Sequence, residues 1–420
     1  MHRLRPKSEF SRNVLTLMTG TTIAQAIPLA FSPILTRLYS PNDFGVFALF
    51  IALNALFSSI ASGRYELALM LPAKDEEAIN IFALGSMIIL FLSISLFFGI
   101  FFLYDDILSF LGNEDIGIWL YFIPVAVLFT GSFNLLSYFN NRKKEYKDIA
   151  NAAILKSVIT VLSQLFLGLL KSGAAGLISA QLFSQLFANT KLLKNILKDK
   201  TLISKIEMKK MVIAAKKYRD FPKYQLPHTL SNTLSSNMPV YLFSSFFSLG
   251  IVGFYSLGIR VVFTPLMIIS GANAKVYNQE VSEIYNKNGD SYSFTLNLLK
   301  SLFKKIIVPF LLIVSFAPEI FAFVFTDEWR EAGVYTQILS PWLLLNMLVS
   351  SVSFIPSLVN MQKKAFFVSM VHLIFSIAAL FAGVYFSSVY ISLFAYMSSN
   401  VLILSYNLSW MLKELKRSAL

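Results

Sequence analysis

The 420-residue chain is 56% hydrophobic and only 14% charged, against about 25% charged in soluble domains, which excludes an ordinary water-soluble globule. A net charge of +13 would point to nucleic acid in a soluble protein, but here it reads as Lys and Arg holding loops on the cytoplasmic side of a membrane. With no Cys and only His2, His228 and His372, no disulfide framework, thiolate nucleophile or metal-ligand pattern exists, and neither metal nor cofactor is expected.

Apolar blocks long enough to cross about 30 Å of hydrocarbon predict twelve spans, at 14–36, 44–62, 79–103, 117–138, 150–170, 173–190, 226–247, 250–273, 303–325, 333–358, 365–386 and 389–410. The first block follows Arg3, Arg5, Lys7 and Arg12 like a signal peptide. It is too long for an apolar signal core, contains Gln25, Pro28 and Pro33, and lacks a small-x-small cleavage site, so it is expected to be retained. The fold class is therefore all-α and polytopic.

Numbering the gaps in turn sorts the charges. One side receives the N-terminal arm, Arg64 and Lys74, the Arg142–Lys147 cluster, the segment 191–225, the loop 274–302, Lys363 with Lys364, and the tail with Lys413, Lys416 and Arg417. The other side receives only Arg37, Lys171 and Arg330, with the acidic Asp105, Asp106, Glu114 and Asp115. That asymmetry predicts an even number of spans with both termini cytoplasmic. The segment 191–225 (LLKNILKDK, then MKKMVIAAKK) reads as a cytoplasmic linker whose basic amphipathic helix rests on anionic inner-leaflet lipid, or as a docking site for a partner. It divides the chain into six-span lobes, 1–190 and 226–420. A weak internal repeat supports duplication: Phe44–Leu49 opens the second span, and the similar Val252–Leu257 opens the eighth.

Ionisable groups inside a bilayer suggest function by default. Arg260 falls near the middle of span eight and Lys156 about two turns into span five; His228, His372 and Glu319 are placed near span ends, and no Asp or Glu lies deep in a span. An organic-cation pump or proton antiporter would need such a carboxylate. A central Arg with a Lys nearby instead suits an anionic ligand, because guanidinium holds phosphate oxygens with paired hydrogen bonds. The plainer readings are an Arg satisfied by nearby carbonyls and a Lys that snorkels. Amides recur in the spans, among them Gln25, Asn54, Gln164, Gln181, Gln185, Asn237 and Asn400; they either pack helix on helix or line a wet cavity able to bond sugar hydroxyls. No phosphate-binding loop, paired carboxylates or large extramembrane domain argues for an enzyme.

The stretch Asn13–Phe50 with Gly63–Pro72 resembles the start of Wzx-type O-antigen and polysaccharide flippases of the multidrug/oligosaccharidyl-lipid/polysaccharide exporter superfamily. The similar elements are Gln25–Pro28, Leu35–Pro41, Asp43–Gly45 and Arg64–Glu66. The resemblance implies two six-helix lobes around a cationic lumen, with Arg260 similar in position to a lumen Arg of related lipid flippases. It implies transfer of an undecaprenyl-diphosphate-linked oligosaccharide, an O-antigen or capsule repeat unit, across the bacterial inner membrane.

The expected lumen residues are Arg260, Lys156, Gln25, Asn54 and Asn237. Arg64, Tyr65 and Glu66 form either an interface anchor with a local ion pair or an inner gate. Arg37 and Asp43 are outer gate candidates, with helix capping the alternative for Asp43. A polysaccharide polymerase and a chain-length regulator are further candidate partners. The rival readings are a drug or metabolite antiporter of the same fold and a membrane polysaccharide polymerase or ligase.

Overall fold

The computed structural model describes residues 9–287 and 289–418. His2, Arg3, Arg5 and Lys7 lie outside the described residues, as does the side chain of Arg12. Every regular element among the described residues is helical, as a chain crossing hydrocarbon requires unless its strands close into a barrel. The principal helices are α1 (Glu9–Ala30), α2 (Pro41–Ser58), α3 (Asp75–Phe102), α4 (Ile123–Arg142), α5 (Tyr146–Leu169), α6 (Ala174–Leu197) and α7 (Met208–Lys217). They continue with α8 (Leu226–Phe246), α9 (Leu249–Asn286), α10 (Ser291–Phe325), α11 (Arg330–Ser351), α12 (Gln362–Tyr385) and α13 (Val389–Ser418).

All of these except the short α7 correspond one to one with the twelve predicted spans. Nine helical stretches among the described residues are long and apolar enough to cross a membrane. The other three, α1, α6 and α8, have comparable length but carry frequent amides and hydroxyls, as in Ser231-Asn232-Thr233 and Ser235-Ser236-Asn237 of α8.

Local sequence sets the helix starts. Ser40-Pro41-Asn42-Asp43 forms a capping box at α2: the Ser40 hydroxyl accepts from the Asp43 amide, and the Asp43 carboxylate accepts from the Ser40 amide, with Pro41 at the first helical position. Asp75, Glu76 and Glu77 occupy the first turn of α3, where the helix dipole favours negative charge. Gly173, at φ 57° and ψ −148°, makes the turn between α5 and α6 that a side chain would strain.

Packing divides the chain into two compact units, cut between Val252 and Gly253. In the first, α1 packs on α5, α5 on α6, α3 and α6 on α4, and α2 on α4 and α8. Small residues permit these approaches: Gly20 meets Ala150, and Gly176 sits under the Tyr39 ring, whose hydroxyl donates to the Gln164 carbonyl at 2.6 Å. In the second unit α9, α10 and α13 pack on α11, and α12 on α13. The division into lobes 1–190 and 226–420 around the linker 191–225 remains the proposal of the sequence.

Three helices overrun their predicted spans furthest. α9 continues to Asn286, α10 begins at Ser291 and α13 reaches Ser418. At 35 residues α10 is about 52 Å long, well beyond the ~30 Å of a bilayer core. Hydropathy reports the hydrocarbon boundary, whereas these helices stay together past it through a core containing Tyr277, Val281, Leu299, Leu302, Met411 and Leu415.

Candidate functional site

In the first unit α4 gathers two of the predicted lumen residues. Thr130 and Phe133 are three positions apart and share a face. Thr130 accepts a hydrogen bond from the Asn54 amide of α2 at 3.2 Å, and the Phe133 ring lies 5.3 Å from the Lys156 ammonium of α5. That cation–π distance, with Lys156 half-buried, keeps its charge partly inside the unit.

Gln25 joins the same neighbourhood through α1. The Ser157 hydroxyl donates to the Ala24 carbonyl at 2.6 Å, so Gln25 and Lys156 each sit one residue from this helix–helix bond. Gln25 is exposed and Asn54 buried. Asn237 of α8 is half-buried and bonds its own helix at the Thr233 carbonyl; one turn on, the Tyr241 hydroxyl donates to Ala52 of α2 at 2.8 Å.

A stripe the sequence reading only half recognised lies on α6. Gln181, Gln185 and Asn189 are spaced at i, i+4 and i+8, and the last two amides donate to the Phe129 carbonyl of α4 at 3.5 and 2.9 Å. The side-chain oxygens of Asn54, Gln164, Gln185 and Asn189 are buried without hydrogen-bond partners among the described residues. These amides therefore serve mainly as contacts between helices. The i, i+4 spacing was the available signal for Asn189.

In the second unit Arg260 occupies an unusual place. α9 is interrupted at Ile259–Phe263 by a π-helical turn, closed by a hydrogen bond from the Thr264 amide to the Ile259 carbonyl. Pro265 follows directly, and its ring would clash with a carbonyl four residues back in a regular helix, a conflict that the wider turn relieves. The stripe of α9 facing α11 is fixed on both sides of the turn. Phe254 stands edge-on to Trp329 and Tyr335, Gly258 abuts Thr336, and Phe263 stacks on Trp342 at 5.8 Å. Arg260, within this turn, is half-buried.

A second π turn, Phe221–Gln225, precedes Pro227 in the same way and carries Lys223. The recurring signature is a basic residue in a π turn ending two residues before Pro. His372, expected near a span end, is eleven residues into α12, where it pairs with Asn400 of α13 at 2.6 Å.

The gate candidates lie at opposite ends of α2. After it, Arg64 has a left-handed backbone (φ 64°) and pairs with Glu66 at 2.8 Å, while Glu66 is buried and also accepts from the Ser62 hydroxyl. Tyr65 is buried and donates to the Ala215 carbonyl of α7 at 3.1 Å. Before α2, the exposed Arg37 donates to the Pro33 carbonyl, and Asp43 caps the helix.

α7 is tied to α3 by charge. Lys210 pairs with Glu76 at 2.8 Å and Lys217 with Glu77 at 2.6 Å, Tyr218 donates to Glu77, and Asn80 bonds the backbone at Lys205 and Glu207. The Glu77 carboxylate holds the Lys217 ammonium above its usual value; Glu207 and Glu76 do the same for Lys210. Met208 and Ile213 stay exposed beside these charges, an amphipathic surface. Among the described residues no group of His, Asp and Glu could hold a metal ion.

No curated protein sequence matches the chain. Among solved structures it is similar to the lipid II flippase MurJ in an inward closed conformation, at TM-score 0.73 and 13% identity, over 96% of this chain and 90% of that one. It is also similar to a multidrug resistance MATE family transporter of the MOP superfamily. The inward-facing form aligns at TM-score 0.63 and 16% identity over 95% and 96% of the two chains; the outward-facing form aligns at 0.56 and 15% over 97% and 96%. These likenesses show the fold, that of the MOP flippases and transporters. Residues 34–334 match the model of the polysaccharide biosynthesis proteins, and this multi-pass membrane chain belongs to that family.

Proposed function

We propose that the protein is a Wzx-type flippase that carries an undecaprenyl-diphosphate-linked oligosaccharide from the cytoplasmic to the periplasmic leaflet of the bacterial inner membrane by alternating access. The family and the fold support a lipid-linked or polysaccharide flippase or transporter; the undecaprenyl-linked substrate is what the resemblance implies, and the charges suit its anionic group. Arg260 carries the reading. A half-buried guanidinium on a π turn in a membrane helix marks a functional position by default, and a pyrophosphate offers oxygens it can hold in pairs.

Lys156 would add a second positive charge and the amides of Gln25 and Asn237 would bond sugar hydroxyls, with Asn54 packed behind them against Thr130, while the prenyl chain stays in lipid. In this reading both termini and the basic loops are cytoplasmic, and α7 rests on anionic inner-leaflet lipid. A polymerase and a chain-length regulator would take the product. Arg64, Tyr65 and Glu66 would shape the cytoplasmic entrance, with Arg37 and Asp43 at the periplasmic one.

The test is complementation of a flippase-null strain, scored as surface polysaccharide at matched membrane levels. Arg260→Ala is expected to abolish it and Arg260→Lys to restore part, since Lys keeps the charge but loses the paired geometry. Full restoration by Arg260→Ala would remove the anion from the mechanism. Efflux of organic cations by the unaltered protein would favour the antiporter reading instead.

A further inference from the structure

An apolar groove of about 730 Å³ runs between α12 and α13, with Lys363 and Lys364 at one end and Phe367, Val371, Leu402 and Tyr406 along its walls. The walls are open to the surroundings: Phe367 is 58% exposed and Leu402 is 70% exposed. The two lysines differ. Lys364 is engaged, with Glu414 at 3.3 Å and the Trp410 ring at 4.7 Å, whereas Lys363 is exposed and forms no ion pair among the described residues.

We propose that this groove binds one anionic phospholipid of the surrounding bilayer, its acyl chain between α12 and α13 and its phosphate on Lys363. Two observations select that occupant. First, the groove is apolar along its walls and positive only at its mouth, the charge order of a lipid entering headgroup-last. Second, Lys363 to Val371 spans eight residues of α12, about 12 Å of rise, close to one leaflet's share of a ~30 Å core. A single acyl chain fits that depth, and a polyprenyl tail reaching into both leaflets does not. Lys363, in the first turn of α12, belongs to the basic set, so the lipid comes from the leaflet that set faces. The groove is lined by α12, α13 and Met361 just before α12 and uses none of the proposed lumen residues, so it stands apart from the flippase reading.

The experiment is native mass spectrometry of the full chain in detergent micelles doped with equal fractions of phosphatidylglycerol and phosphatidylcholine. Retained phosphatidylglycerol is expected to exceed phosphatidylcholine about five-fold, roughly one interfacial lysine's attraction. Lys363→Glu should erase that preference. Leu402→Trp, which fills the groove and leaves the lysines, should reduce retention of both lipids. Equal retention by the unaltered protein, or a preference surviving Lys363→Glu, would overturn the proposal. So would displacement by soluble glycerol phosphate, which would mean a headgroup site alone, or by undecaprenyl phosphate at equal fraction, which would mean a prenyl site. Surface polysaccharide made by Leu402→Trp separates the two readings: lipid retention can fail while flipping persists, and the reverse.

Discussion

Gly45 of α2 lies directly against the backbone of Leu249, whose carbonyl oxygen occupies the space a Cβ at position 45 would need and whose Cα would stand 3.0 Å from it. One turn or two along α2, Tyr241 bonds Ala52. The first contact seats the α8–α9 turn on α2 backbone to backbone, and the second adds a side-chain bond from α8 to the same helix.

Gly45→Ala should therefore destabilise the first unit by about 1–3 kcal/mol, the usual cost of overpacking where the opposing atom is backbone and cannot swing away. Tyr241→Phe, which removes only one hydrogen bond, should cost about 1 kcal/mol. Thermal unfolding in detergent ranks the two; a milder effect for Gly45→Ala than for Tyr241→Phe would show that the backbones separate readily.

Arg64 combines a left-handed backbone with an ion pair to the buried Glu66, and substitutions can part the two. Arg64→Ala loses the pair and keeps the strain; Arg64→Gly loses the pair and relieves the backbone, so it should be more stable by about 1 kcal/mol. If the residue serves only the turn, Arg64→Gly should also restore more surface polysaccharide than Arg64→Ala. Equal loss in both variants would assign the guanidinium itself to the gate.

Glu77 receives both Lys217 and Tyr218, so Glu77→Gln should loosen α7 from α3 and speed tryptic cleavage after Lys217 several-fold. The pH dependence has a definite sign. Lys217 and Lys210 are held above their ordinary value by carboxylates, so their attraction is complete below the unfolded lysine value, about 10.4, and is lost as pH rises through the higher folded one. The clamp should be indifferent to pH near neutrality and open in strong alkali. Cleavage unaffected by Glu77→Gln would mean that apolar contacts at Met211 and Ala214 hold α7 unaided.

The sequence made legible what hydropathy and capping encode. All twelve long helices are placed by their apolar blocks, and the capping expected of Asp43 is made jointly with Ser40, which starts α2 three residues before the predicted span at 44. Tertiary relations were harder to read. The Lys-rich linker reads as a lipid-facing surface, yet Lys210 and Lys217 are engaged by the acidic first turn of α3, more than a hundred residues earlier. The π turn beneath Arg260 leaves only a weak trace, Thr264-Pro265, because a proline in a membrane helix is compatible with a kink, a bulge or a tight neighbour. His372 was misplaced because a polar residue within an apolar block resembles a boundary until its partner Asn400 is known. For the lumen residues, periodicity cannot tell a side chain packed between helices, such as Asn54, from an open one, such as Gln25.

The position of Arg260 depends on how closely α9 approaches α11, and Gly258 sets that distance. A Cβ there would collide with the Thr336 hydroxyl oxygen and come within 3.3 Å of the Ala332 carbonyl. Gly258→Ala should thus cost about 1–3 kcal/mol and shift the π turn that carries Arg260. Thr336→Ala removes the obstructing hydroxyl, whose own bond is the local one to Ala332 at 2.8 Å, and should cost about 1 kcal/mol by itself. Combined, the two should be less damaging than their sum, with a coupling of about 0.5–3 kcal/mol in thermal unfolding. Surface polysaccharide should follow the same pattern: reduced by Gly258→Ala and recovered in the double variant. Additive stabilities would place the clash elsewhere. Stability that recovers without polysaccharide would mean that the glycine is needed for movement of α9, and not only for its resting position.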